Sequence, residues 1–327
     1  MEVTIIIKSL NEQDNIAKAI QSALKAIKSM NGEVVLADSL STDKTIQIAK
    51  KYPIRIVQLK NPEDRSCGMG AQLGYLYSKG DYVYILDGDM EIDKDFIAEG
   101  IKKLKSEKDL AGVAGIINEM TESNIIFRRR KRGIGSQVNQ ERYAGKLMMG
   151  GLYKRSAIQK VGYFSNPNLH AYEESDLAIR LNAAGYKLKR LPIPMIKHYG
   201  DAVNTLEVVK NRWKSRYLWG CGELLRYHIG KPTFFRAVKE MKLYILLLFW
   251  WIFLLISLIL FTHFPFILKA QLSLTLLFLL LFLLKKRSMT EFLFSIFSWN
   301  ITAIGLICGF FKESKDINRK IGAVRIK

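Results

Sequence analysis

Cysteine is scarce and scattered: Cys67, Cys221 and Cys308 are the three in 327 residues, with neither metal-ligand spacing nor a pairing framework. That usage fits a reducing compartment and excludes a disulfide-stapled secreted domain. Proline is sparse as well, seven in all, and no low-complexity linker or internal repeat divides the chain. Acidic residues are outnumbered, 30 against 50 Lys and Arg, so the formal net charge is +20. Anionic partners follow from that balance: nucleotide, phospholipid or nucleic acid. The start of the chain lacks a signal-peptide pattern, because Met1-Glu2 offers no basic n-region and the apolar run 3–7 is too short for an h-region. Long apolar runs are absent until residue 242 and dominate after it. At this length the chain has room for one full core and a second region.

What is present centres on residues 80–95, GDYVYILDGDMEIDKD. Residues 82–86 form an unbroken apolar run, rich in β-branched and aromatic side chains, as in a strand buried on both faces of a parallel sheet. The run stops at Asp87-Gly88-Asp89. On extended backbone, residues two apart point the same way, and the glycine between them allows a tight turn. Two carboxylates at the end of a buried strand suit Mg²⁺ or Mn²⁺ held against a diphosphate. In isolation the same triplet is also an ordinary turn closing a strand.

The surroundings repeat one theme. Residues 3–7, 33–37, 54–59 and 82–86 read as strands, and each of the first three is followed by a helix, near 14–28, 42–50 and 69–78. Four strands alternating with three helices predict a doubly wound α/β sheet, which binds ligands at the carboxyl ends of its strands. Asn11-Glu12, Asp38 and Asp87-Asp89 all lie at those ends. Further on, a helix at 95–105, a strand at 110–117 and a polar, irregular stretch 118–142 with the basic run 128–132 are expected. Then come a short helix at 155–161, a helix opened by Glu173-Glu174-Ser175-Asp176, extended pieces at 187–191 and 194–199, and a helix from 205 towards 226.

Residues 243–262 carry no charge and, at ~1.5 Å per residue, reach about 30 Å, the thickness of a bilayer core. Residues 266–284 form a second span with Lys269 near one end, and 292–311 a further candidate whose Gly305 and Gly309 suit helix packing. Basic flanks at Arg236, Lys239, Lys242 and at 285–287 place residues 1–230 in the cytoplasm by the positive-inside rule, with 231–327 as the membrane region. Charges beside the spans explain much of the basic balance, so membrane lipids are the expected anionic surface and nucleic acid is not.

Four separated pieces resemble an inverting family-2 glycosyltransferase of GT-A fold: TIIIKSLNEQDNI, ADSLSTDKT, LDGDM and YEESDLAIRL. Their order over roughly residues 1–200, together with GGLYKRSAI and VGYF, follows the family. The resemblance implies a nucleotide-sugar donor, UDP- or GDP-linked, and a lipid-linked or glycan acceptor. It implies Glu12, Asp38 and Asp87 as donor contacts, and Asp87, Asp89 and His198 as ligands of Mg²⁺ or Mn²⁺. Arg65, in the loop before the third helix, is placed to approach the donor's phosphate or sugar, or else is a solvated side chain. Glu174 stands where the family has its catalytic Asp, a side chain one methylene longer, and is the expected base. Glu173 and Asp176 complete the acidic segment, although first-turn carboxylates also serve a helix dipole.

Arg212-Trp213 is similar to the end of the Q-x-x-R-W motif of processive synthases, but Val209 stands in place of the Gln, which argues against a processive polymerase. Trp213 suits stacking on an acceptor sugar or a place at the membrane interface. The leading expectation is transfer of one sugar to a hydroxyl. A polyprenyl-phosphate hexosyltransferase shares the motifs, and an inactive nucleotide-sugar-binding scaffold is the reading from another class.

Overall fold

The computed structural model describes residues 1–133, 138–200 and 203–327 and divides into two compact units. The first comprises Met1–Ser215 together with Glu313–Lys327, and the second Arg216–Lys312. The division therefore falls earlier than the expected residue 230, and the last stretch belongs with the first unit.

Ten strands form one sheet in the first unit: β1 (Val3–Ser9), β2 (Gly32–Asp38), β3 (Arg55–Leu59), β4 (Tyr82–Asp87), β5 (Met90–Ile92), β6 (Leu110–Glu119), β7 (Arg142–Ala144), β8 (Gly151–Lys154), β9 (Lys187–His198) and β10 (Ala323–Arg325). Their order is β10-β3-β2-β1-β4-β8-β6-β9-β5, with β7 pairing β9. β1 to β4 run parallel, whereas β8 opposes both β4 and β6, so the doubly wound α/β sheet is of mixed type.

Eight helices accompany the sheet: α1 (Ile16–Ala26), α2 (Thr45–Ala49), α3 (Cys67–Leu76), α4 (Phe96–Ser106), α5 (Ile125–Lys131), α6 (Arg155–Lys160), α7 (Glu173–Ala183) and α8 (Thr205–Lys214). α1 buries Ile16, Ala19, Ile20 and Ala23, the face its spacing marks. Ile5, Ile6 and Ile7 of β1 are fully buried, as befits a central strand covered on both faces. Each such side chain contributes roughly 1.5–3 kcal/mol on burial.

Three readings change. The two extended pieces near 187–199 are one strand, β9, whose pairing with β6 shifts register twice between Ala114 and Ile117. The polar stretch after β6 contains α5. The helix expected from 205 towards 226 is broken at Ser215 and Arg216, the latter in the left-handed region at φ 60°.

The second unit starts with a 3-10 turn (Tyr217–Trp219) and continues through α9 (Gly220–His228), α10 (Phe234–Ile259), α11 (Pro265–Lys286) and α12 (Met289–Phe311). The last three are long and apolar enough to cross a membrane. The Gly305–Gly309 pair of α12 packs against backbone: a Cβ on either would collide with the carbonyls of Leu218 or Trp219. Gly222 of α9 meets Leu306 and Phe310 equally closely. Glu223 and Lys312 pair at 2.9 Å, and Arg226 donates to the carbonyls of Phe310 and Lys312 at the end of α12.

Candidate active site

Strand register builds the cleft. Ser9 lies opposite Asp38 and Lys8 opposite Asp87, so β1, β2 and β4 finish level with one another. The loops beyond β1 and β2 are then zipped together. Glu12 N donates to Thr45 Oγ1 at 2.8 Å, Gln13 N to Asp43 Oδ2 at 3.0 Å, and Thr42 N to Asn11 Oδ1 at 2.8 Å.

Asp38 is fully buried and accepts from Ser9 Oγ at 3.1 Å, Ser41 N at 2.9 Å, Gln58 Nε2 at 2.9 Å and Ser41 Oγ. Its carboxylate is thus engaged by the loop it starts. Arg65 clamps the same loop, donating to the carbonyls of Ser39 at 2.8 Å and Leu40 at 2.6 Å. Glu12 reaches the aspartate turn: a Cβ on Gly88 would stand 2.7 Å from its Cγ, so only glycine fits there.

The two aspartates of the turn have different neighbours. Asp87 pairs with Lys8 at 2.9 Å, and Lys8 also reaches Glu173 at 3.1 Å. Burial works against the charge on Lys8, but the carboxylates of Asp87 and Glu173 hold its pKa well above the ordinary value. Asp89 instead faces the end of β9, where His198 Nε2 is 3.1 Å from its Oδ2. His198 Nδ1 lies 2.8 Å from Glu119 Oε1 at the end of β6. Arg130 of α5 contacts Glu119 Oε2 at 3.1 Å and lies 3.1 Å from both ring nitrogens. Burial disfavours the imidazolium, yet hydrogen bonds to Asp89 and Glu119 outweigh it and push the His198 pKa up to about 9.

This corner fits a divalent cation. Asp89 Oδ1 is buried with no hydrogen-bond partner, which leaves a hard oxygen directed at nothing. Neutral imidazole with carboxylate suits Mn²⁺ or a similar ion, so a bound cation would displace the proton that Nε2 carries beside Asp89, and Glu119 would orient the ring from behind, as second ligand spheres do. No cluster of three His, Cys, Asp or Glu side chains forms a cage among the described residues, so a diphosphate would complete the coordination. Asp87, held by Lys8, stands one residue beyond Gly88 on the other side of the turn.

Glu174 lies in the first turn of α7, half-buried against the loop before β8. Its Oε1 accepts from Gly150 N at 3.0 Å. Gly150 has φ 98° and no room for a Cβ, which would approach Ile85 O to 2.7 Å. The preceding Met149 is also left-handed, at φ 57°, and Met148 O accepts from the buried Arg190 Nη2 at 3.4 Å. Burial, then the charge of Glu173, raises the Glu174 pKa to about 7, against the opposing effects of Gly150 N–H and Lys8. A small cavity at this point is lined by Lys8, Tyr153, Phe164, Ser165, Glu173 and Glu174.

Asp176 does not join them. It is fully buried and bonded to Arg180 at 2.8 Å and 3.0 Å, and Arg180 in turn holds the carbonyls of Val161, Tyr163 and Phe164. Its carboxylate is engaged by Arg180 within α7, in line with the helix-dipole alternative that its first-turn position also allows. Arg212 and Trp213 lie on the last turn of α8. Glu119, Arg130 and Gly150 are the site residues that sequence reading missed. Arg130 was legible only as one of the basic residues of 128–132.

Residues 4–162 match the family model described as Glycosyl transferase family 2. Among curated proteins, a poly-beta-1,6-N-acetyl-D-glucosamine synthase of Staphylococcus aureus (strain MSSA476) is 24% identical over 257 residues, covering 75% of this chain and 60% of the synthase. The chain thus spans only 60% of that relative's length. A dolichyl N-acetyl-alpha-D-glucosaminyl phosphate 3-beta-D-2,3-diacetamido-2,3-dideoxy-beta-D-glucuronosyltransferase of Methanococcus voltae is 24% identical over 213 residues, 60% of this chain and 66% of that protein. The crystal structure of S. aureus TarS shares the fold, with a TM-score of 0.52 at 14% identity over 73% of this chain and 72% of that one. Residues 4–162 thus form a glycosyl transferase family 2 domain, on an α/β fold with carboxylates at its strand ends.

Proposed function

We propose that the chain is a membrane-bound, inverting glycosyltransferase that moves one sugar from a nucleotide-sugar donor to a hydroxyl of a lipid-linked or surface-glycan acceptor. The observation that carries this reading is the pairing of a cation corner, Asp89 with His198, with a half-buried carboxylate, Glu174, whose pKa is raised to about 7. A carboxylate with that pKa is matched to taking a proton near neutrality. The two curated relatives are named for an N-acetylglucosamine polymer and a dolichyl-linked sugar, and both kinds of acceptor present a hydroxyl.

In this mechanism a divalent ion supplies Lewis-acid neutralisation of the departing diphosphate. Asp89 and His198 would hold it, and Glu119 would fix the imidazole. Lys8 keeps Asp87 and Glu173 apart from the reacting centre and lowers the local excess of negative charge. Glu174 Oε takes the proton from the acceptor hydroxyl as that oxygen attacks the anomeric carbon. The bond from that carbon to the diphosphate oxygen breaks, the nucleoside diphosphate leaves, and the configuration inverts. The catalytic unit faces the cytoplasm in this reading, because the basic flanks of α10 and of the α11–α12 turn favour that side.

The test is transfer by the purified protein across a panel of nucleotide sugars, with Glu174→Gln beside the wild type. The substitution keeps the shape and removes the base, so transfer should fall by roughly 10²–10⁴-fold while donor binding is unchanged. Near-wild-type turnover by Glu174→Gln would eliminate Glu174 as the base and favour an acceptor that is already anionic, such as a polyprenyl phosphate.

A further inference from the structure

Residues 313–327 complete the sheet of the catalytic unit. β10 pairs antiparallel with β3, Ala323 opposite Leu59 and Arg325 opposite Val57. Lys315 reaches Asp64 at 2.9 Å and Arg319 reaches it at 3.3 Å. The second unit, Arg216–Lys312, is therefore inserted between two segments of one folded body. A chain that leaves such a body, enters a bilayer and returns to complete the same sheet must cross an even number of times. Among the described residues three helices have the length and composition to cross, so at least one of them does not.

Exposure separates the three. Successive helical residues turn by about 100°, so neighbours in sequence face different ways. On α10, Trp251, Ile252 and Phe253 are all exposed, and on α11 so are Leu276, Leu277 and Phe278. These two helices present apolar side chains all round, as a helix surrounded by acyl chains does. α12 is different. Its exposed large apolar residues within the helix body, Leu293, Phe297, Ile304, Ile307 and Phe311, follow spacings of four, seven, three and four and make a single stripe. The opposite face, with Ser295, Thr302, Gly305 and Gly309, is buried. Asn300 lies within the stripe, and its side-chain oxygen accepts from Trp251 Nε1 of α10 at 2.8 Å.

We infer that α10 and α11 are the two crossings and that α12 lies along the bilayer surface on the side from which the chain enters, its apolar stripe in lipid and its buried face on α9. One apolar stripe with a packed reverse face needs lipid on one side only, unlike the all-round exposure of α10 and α11. The arrangement also brings Lys285, Lys286 and Arg287 back to the entry side, where anionic headgroups attract them. It rests on reading the second unit as membrane-embedded.

Alkaline carbonate extraction of membranes containing the full chain examines that underlying reading first, since release into the soluble fraction would remove it. Single additional cysteines at Glu99, His263, Lys285 and Lys320 are then probed with a membrane-impermeant maleimide in right-side-out and inverted vesicles. The unmodified chain measures labelling of the three native cysteines, and labelling after denaturation shows that each new thiol is reactive. Positions 99, 285 and 320 should label from one side and 263 from the other. Labelling of 320 from the side of 263 would overturn the even crossing number. Labelling of 285 from that side, with 320 opposite, would make α12 a crossing and overturn its surface placement.

Discussion

Lys8 is a half-buried ammonium with two carboxylate partners, Asp87 at 2.9 Å and Glu173 at 3.1 Å, and its charge also acts on Glu174. The other influences on Glu174 are its burial, the charges of Glu173 and Asp87, and the N–H of Gly150. Arg190, Tyr153, Tyr84 and Cys67 also lie within its charged and titratable surroundings. A base must be ionised to act, so transfer should rise with pH through about 7 and fall roughly tenfold per unit below it. Lys8→Met removes a charge that favours the ionised carboxylate. The acid limb of the profile should then move to higher pH, with lost activity partly recovered in alkaline buffer, whereas Lys8→Arg should keep the limb near its original place. A limb that stays put in Lys8→Met would show that Lys8 supports the site by packing alone.

The ends of strands explain why these groups meet. β9 is twelve residues long, and its last residue, His198, pairs with Met90 across β5 and with Glu119 across β6. That register sets Glu119 against the ring of His198. In the related arrangement around bound metals, such a carboxylate typically changes affinity by 10–100-fold. Glu119→Gln should therefore raise the Mn²⁺ concentration needed for half-maximal transfer by about that factor while leaving saturated activity closer to normal. An unchanged metal requirement would relegate Glu119 to holding Arg130 in place. Much of this level was legible beforehand. The apolar runs ending in Asp38 and Asp87 marked β2 and β4, and the D-x-D spacing marked the turn. Glu119 was not, because it ends a strand whose partner lies far away in sequence, and only the shifted β6–β9 register brings the two together. Gly150 escaped notice for a similar reason: its contribution is a backbone N–H, and no side chain advertises it.

At the scale of the molecule, the sheet closes with a strand of three residues, too short to carry a periodicity of its own. Ala323, Val324 and Arg325 read as coil in isolation, and β10 exists because β3 offers an edge. The segment is well attached. Ile326 N donates to Ile56 O at 2.9 Å, Lys60 N to Gly322 O at 2.9 Å, and Ile56 N to Lys327 O at 3.1 Å. Ile321 and Ala323 pack beside Val57, Leu59 and Met69, while Ile326 packs on the main core. At about 1 kcal/mol for each hydrogen bond, with a similar contribution from the apolar contacts, removing residues 321–327 should cost roughly 3 kcal/mol or more. For a unit of this size that corresponds to a fall in Tm of about 6–12 °C. The deletion leaves Lys315 and Arg319 on Asp64, so the return of the chain to the catalytic unit is preserved. Thermal unfolding of the detergent-solubilised protein, followed by loss of donor binding, measures the effect. It should also expose the edge of β3 and increase aggregation on heating, because unpaired strand edges recruit further strands. A deletion variant with unchanged Tm would mean that β10 covers the edge without stabilising it.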